Sequence, residues 1–460
     1  MLPQRVLEEI NSNRQRYVAE LAEFLRIPSV STDSEHATDT RQSAEWVVNK
    51  LKKLGFQTEL RETAGHPVVC GKLMSDASLP TLLIYGHYDV QPPDPLDEWV
   101  TPPFSPDIRD GYIYARGATD NKGQLLTYFE AMEAILAVGG KLPLNVKVLV
   151  EGEEEIGSPN LSPFLQANLD EFKTDVIAIS DGSQFAPDIP AITYGLRGLS
   201  YLEVGVQGPR FDLHSGSFGG LVANPVQVLS EMLAQLKNED GTVAIPDFYD
   251  DVRELEPRER QEMADLPLDE AALKKYLGVD QLVGEPDCSL VERKTARPTL
   301  DVNGIWGGFA GEGAKTIIPA KAGAKVSMRL VPDQRAATIN ELFKNFIYSI
   351  APPGVKIQIS EMHGSDPVLV ERDQPAMQAA ARAVEFGFRK TPVYIREGGS
   401  IPIVGLFKEM LGCKSILLMG WGSPDDGAHS PNERFSLEDF HHGILSAAAL
   451  FYALEESFEA

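Results

Sequence analysis

Cysteine is scarce in this sequence: three in 460 residues, Cys70, Cys288 and Cys413, far apart and without a CxxC pair. No disulfide framework is indicated, and the pattern suits a reduced, cytoplasmic protein. Basic residues are also few, 42 Lys and Arg against 67 Asp and Glu, for a formal net charge of −25. That balance argues against a nucleic-acid or anionic-membrane partner, because both require a positive surface. No run of about 18 apolar residues occurs. The opening stretch MLPQRVLEEINSNRQRYVAELAEF lacks the apolar segment of a signal peptide, so neither membrane insertion nor secretion is expected. Internal repeats and low-complexity tracts are absent as well.

What is present is enough chain for two domains, since 460 residues exceed the size at which a single core stops growing. The apolar fraction, 43%, is sufficient to fill both cores. Val6, Ile10, Tyr17, Leu21, Phe24 and Leu25 recur at helical spacing, and a second helical pattern, TRQSAEWVVNKLKKLGF, stops at Gly55. Short apolar runs, TLLIYGHYDV, NVKVLV and DVIAIS, read as buried strands and alternate with the helical GQLLTYFEAMEAILAVGG, which predicts an α/β layer. From LRGLSYLEVGVQG onward alternating strands take over, with a helix after GGLVANPVQVLSEMLAQL and a highly charged middle that reads as solvated helical faces. QPAMQAAARAVEFGF and SILLMGWG then restore the α/β style. The expected organisation is a discontinuous α/β domain, residues 1–195 and 366–460, with a mixed sheet flanked by helices and an α+β insertion over residues 196–365.

The chemistry-bearing residues gather where apolar strands end, which is where open α/β sheets bind ligands. His87 and Asp89, two apart in GHYDV, project to one side of extended backbone, so that one can hold a metal and the other hold the imidazole. Asp120 lies in RGATDNKG just before a helix, and an N-cap is the competing explanation for it. Glu153, Glu154 and Glu155 follow NVKVLV, where three adjacent carboxylates are costly unless a cation or a proton transfer uses them. Asp181 ends the next strand, and His429 sits in the Gly/Ser/Pro loop GSPDDGAHSPNE. Each has an ordinary structural explanation alone. Together, imidazoles and carboxylates without thiolates match a two-metal site for Zn, Mn or Co.

The ordered set GHYDVQP, ATDNKG, EGEEEIGS, SDGS, DLHSGSFGG, RLVPDQ, REGGSIP and DDGAHSPNE resembles the M20 metallopeptidase family, most of all its cytosolic nonspecific dipeptidase and carnosinase branch, and covers nearly the whole chain. The resemblance implies two divalent metal ions, zinc first with manganese or cobalt as alternatives. Asp120 would bridge them, His87 and Asp181 would complete one site, and Glu155 and His429 the other. Asp89 would orient His87, and Glu154 would act as general base toward a water between the metals, with Glu153 a solvated bystander. The insertion becomes a lid and dimerisation domain. In it His214 would reach the partner subunit's site of a homodimer, Arg329 would grip a substrate's C-terminal carboxylate, and Thr316 would contact substrate, as would Ser400. Asn121 stands where many relatives have a second aspartate. The implied activity is that of a metallo-exopeptidase cleaving dipeptides or short peptides. An N-acyl-amino-acid or acyl-diamine deacylase is the alternative, and a non-catalytic carboxylate-binding relative a third possibility.

Overall fold

The computed structural model describes residues 2–399 and 402–459. The chain divides into two compact units, Met1–Tyr194 with Val370–Ile395 and Leu406–Ala460, and Gly195–Leu369 with Arg396–Gly405. The expected α/β architecture, a mixed sheet flanked by helices, is present. Among the described residues no helix is long and apolar enough to cross a membrane.

In the first unit the sheet runs in the order Gln57–Arg61, Val68–Leu73, Asn145–Glu151, Thr81–His87, Val176–Ser180, Ser415–Met419, Ala191–Leu196. The four strands from Asn145–Glu151 to Ser415–Met419 are mutually parallel. Such strands are covered on both faces, which is why their sequences are continuous apolar runs rather than alternating ones. Val176–Ser180 is buried at every position, and Thr81–His87 at all but its first. Lys122–Gly139 and Pro375–Phe388 pack on these strands and Ala37–Lys53 on the two neighbouring ones, with Gln4–Ser12, Arg14–Leu25 and Leu437–Glu459 packed in turn on Lys122–Gly139.

Register decides where the functional residues emerge. His87 pairs with Glu151, Tyr85 with Ile179, and Ser180 with Met419, so the parallel strands finish along one edge. Asp89, Glu154, Glu155 and Asp181 leave the sheet there. Gly86 is needed at this edge because a Cβ would stand 2.9 Å from both Asn121 Oδ1 and Leu125 Cδ1.

The second unit is built on a four-stranded antiparallel sheet in the order Thr299–Gly307, Lys321–Leu330, Gly198–Gln207, Lys356–Ser365. Gly198–Gln207 alternates buried and part-exposed positions, as expected of a sheet packed on one face. Leu202, Val204, Val326 and Met328 meet Phe343 and Ile347 of the helix Ala336–Ile350, with Val228 and Leu229 of Pro225–Ala234 beside them. The charged middle forms the short helices Pro257–Ala264 and Glu270–Leu277, in which Met263 alone is buried.

Candidate active site

His87 Nδ1 faces Asp89, 3.1 Å from its carbonyl oxygen and 3.3 Å from Oδ1. This turns Nε2 toward Asp120 Oδ1 at 3.2 Å and Asp181 Oδ1 at 3.5 Å. Nε2 is buried and, among the described residues, makes no well-aligned hydrogen bond, these two carboxylate oxygens being its nearest polar neighbours. Asp89 also accepts from the backbone N–H groups of Glu154 (3.3 Å) and Glu155 (3.1 Å), one on each carboxylate oxygen. It therefore orients the imidazole and fixes the turn bearing both glutamates.

Asp120 is not the cap of the helix it precedes: that position is Asn121, whose side chain makes no capping bond. The peptide between Asp120 and Asn121 is cis. The two carboxylate oxygens of Asp120 diverge, Oδ1 toward His87 and Oδ2 toward His429 Nε2 at 2.9 Å. Two trios that could hold a metal ion result, His87 with Asp120 and Asp181, and Asp120 with Glu155 and His429, sharing Asp120. His429 sits at a left-handed φ of 64° and lies 3.4 Å from Glu155 Oε2. Gln91 Nε2 donates to that same oxygen at 2.8 Å, while Glu155 Oε1 is buried and, among the described residues, unpartnered.

The carboxylates crowd one another. Burial raises Glu154 to about 7, with Asp181, Asp120 and Asp89 reinforcing the shift and His87 opposing it. Burial and the Asp120 charge push Glu155 up to about 9. His429 rises to about 9 through its bond to Asp120. Burial alone would lower His87, yet the carboxylates of Asp181, Asp120 and Asp89 hold it well above the usual imidazole range. A site that retains protons this strongly is short of positive charge. The orphaned buried atoms, His87 Nε2 and Glu155 Oε1, and the mixed imidazole and carboxylate donors fit divalent cations of the zinc, manganese and cobalt kind. A third carboxylate trio, Glu20, Glu130 and Glu133, has its cation already: Lys50 Nζ lies 2.5 to 3.0 Å from all three.

Glu153 overturns its expectation as a solvated bystander. It is buried, at 4% exposure, and accepts from His66 N at 2.9 Å and from Asn160 Nδ2 at 2.9 and 3.0 Å. Gly65 gives it room, since a Cβ there would lie 1.8 Å from Glu153 Oε1. Three adjacent glutamates thus have three destinations, a backbone clamp for Glu153, the open site for Glu154 and the Asp120–His429 trio for Glu155.

Other positioning residues escape sequence reasoning. Asn121 Nδ2 donates to Ser180 O at 2.5 Å and to Asp181 Oδ1 at 2.9 Å, a donation an aspartate could not make while ionised. Glu433, fully buried, accepts from Arg116 Nη1 at 2.8 Å and from the N–H groups of Gly117 (2.9 Å), Thr119 (2.9 Å) and Asp120 (3.1 Å). The available signal was one of charge: Arg116 and Glu433 are opposite charges, each a few residues from a suspected ligand.

The second unit carries the remaining expected residues. His214 is exposed and pairs with Ile317, next to Thr316, whose carbonyl accepts from Ser215 N at 3.1 Å. His214 Nδ1 accepts from Gly216 N at 3.0 Å, so in the neutral ring the proton sits on Nε2. Arg329 stands between Leu199 and Thr299 in the sheet, on the face opposite buried Met328 and Leu330. Ser400 lies outside the described residues.

The description "Peptidase family M20/M25/M40" matches residues 83–453. The Cys-Gly metallodipeptidase dug1 of Schizosaccharomyces pombe is 35% identical over 96% of this chain and 96% of its own. The Beta-Ala-His dipeptidase of Homo sapiens is 34% identical over 85% of this chain and 78% of its own. Among solved structures, the M20 family metallo-carboxypeptidase Sso-CP2 from Sulfolobus solfataricus superposes with a TM-score of 0.85 at 35% identity, covering 96% of this chain and 99% of that one.

Proposed function

The chain belongs to peptidase family M20/M25/M40, and on that premise we propose that it is a metal-dependent dipeptidase, hydrolysing the amide bond of dipeptides or similarly short peptides with a free C-terminal carboxylate. The observation that carries the proposal is the pair of trios sharing Asp120 with Glu154 beside them. Its substrate class is supported by relatives that are dipeptidases over nearly the full length. Those relatives do not favour a deacylase.

His87, Asp120 and Asp181 would hold one divalent cation, zinc first, and Asp120, Glu155 and His429 a second; such a pair lowers the pKa of a water and polarises the scissile carbonyl. Glu154 takes the proton of the attacking water and returns it to the leaving amine, a role suited to a carboxylate whose pKa burial brings toward neutrality. Asp89 keeps the His87 ring and the Glu154 backbone in place while this happens. Arg329 offers a planar fork to the substrate's C-terminal carboxylate, and Thr316 and Ser400 complete that end. His214, with its proton on Nε2, donates to the developing oxyanion in the partner subunit's site of a homodimer. The three unpaired cysteines support a cytoplasmic location.

The first test is a matched panel on metal-reloaded protein, free dipeptides such as Ala-Ala and Gly-Leu beside N-acetyl and N-succinyl amino acids. Free dipeptides are expected to turn over faster. Preferred hydrolysis of the N-blocked compounds would contradict the dipeptidase assignment and point to a deacylase or carboxypeptidase. For the homodimer, light scattering is expected to give twice the 50.4 kDa chain mass. A monomer with full activity would remove His214 from the site.

A further inference from the structure

We infer that Glu433 is a positioning residue that locks the loop carrying Asp120 to the loop carrying His429, and thereby sets the metal affinity of the Asp120–Glu155–His429 trio. The inference rests on the proposal that these residues hold a cation. Asp120 and His429 are more than 300 positions apart in sequence; the strand Arg434–Ser436 pairs with Tyr112–Tyr114 and sets their two loops side by side, but this pairing stops short of both ligands. Their 2.9 Å approach must therefore be enforced by whatever ties the two loops together.

Glu433 is that tie. Its loop closes on itself where Arg434 N donates to Asp426 O at 2.9 Å, and His429 stands inside the closure. From the end of this closure the Glu433 side chain enters the turn at residues 117–120. One oxygen, Oε1, receives the N–H groups of Thr119 and Asp120. The other, Oε2, receives Gly117 N–H and Arg116 Nη1. The backbone adds a further tie from the same residue, since Ala115 N donates to Glu433 O at 3.0 Å.

All four side-chain partners are donors, so only an acceptor at both ends satisfies them. A glutamine would present its NH₂ to Gly117 N–H and the Arg116 guanidinium, or to the Thr119 and Asp120 N–H groups if flipped. Either way two donors lose their acceptor in a site without solvent. Arg116, 1% exposed and also bonded to Pro92 O at 3.1 Å, neutralises the carboxylate so that its charge is tolerated there. The other trio is anchored differently: His87 by Asp89, and Asp181 by Asn121. Disturbing Glu433 displaces two of the three ligands in the Glu155 trio and only the shared one in the Asp181 trio.

The test is Co²⁺ titration of the chelator-treated full chain, followed by calorimetry and visible absorption. Wild type is expected to bind two equivalents. Glu433→Gln is expected to weaken one equivalent by about 10- to 100-fold, the usual range for a residue that orients metal ligands, and the other markedly less. The weakened equivalent should be the one lost in His429→Ala, and adding E433Q to that variant should cost little more, because both changes act on one trio. Arg116→Lys, which keeps the charge and loses the fork, is expected to weaken the same equivalent to a smaller extent and serves if E433Q does not fold. Equal weakening of both equivalents, or a lowered melting temperature with both affinities intact, would show Glu433 to be merely structural and overturn the inference. Fewer than two equivalents in wild type would overturn the two-cation reading and the inference with it.

Discussion

Glu154→Gln is expected to lower kcat by about 10²- to 10⁴-fold, the usual share of a positioned proton-transfer group, while two equivalents of metal still bind. The substitution preserves shape and backbone: the Glu154 N–H still reaches Asp89, and Glu155 is untouched. What goes is the ability to accept a proton. The pH profile separates this from a general disturbance. In wild type the kcat/KM of an unprotonated base falls as acid protonates Glu154, and the variant's residual rate should lack that limb. Undiminished turnover in Glu154→Gln would sink the mechanism.

Chelation is expected to abolish turnover, and a divalent metal to restore it. A ligand at 100 times its Kd contributes about 2.7 kcal/mol of stability, so the stripped protein should also melt earlier. Protons provide a second readout. In the metal-free site Glu155 and His429 titrate near 9, burial raising the one and the Asp120 bond the other, so both carry protons at neutral pH. Cations must displace those protons, hence binding should weaken as pH falls and its measured heat should vary with the buffer's ionisation enthalpy. Full activity after metal removal would reject the metal-dependent assignment.

Much of this site is legible in the sequence because strand ends are. His87, Glu155 and Asp181 follow apolar runs whose parallel register brings their ends to one edge. Asp120 and His429 were conspicuous as charged or imidazole groups among glycines. The roles of Glu153, Asn121 and Glu433 were not legible, for a common reason. Each is defined by the backbone or side-chain donors that fold against it, such as His66 N for Glu153 or Thr119 N for Glu433, and no local pattern announces those partners. Glu153 illustrates the cost of local reasoning: beside two glutamates that a metal site would use it reads as redundant, whereas burial and Asn160 make it part of the frame. The second unit gave still less away. Arg329 by itself is a residue of an alternating strand, and its assignment depends on family resemblance.

Asp120 serves both trios, and this gives the substitutions around it unequal weight as inherited changes. Losing His429 or Asp181 leaves one trio intact, so a descendant carrying either change keeps half of the arrangement. Losing Asp120 removes both trios in one step. A lineage abandoning the proposed chemistry for a binding role would therefore have a complete one-residue exit at position 120, and only partial ones at 181 and 429.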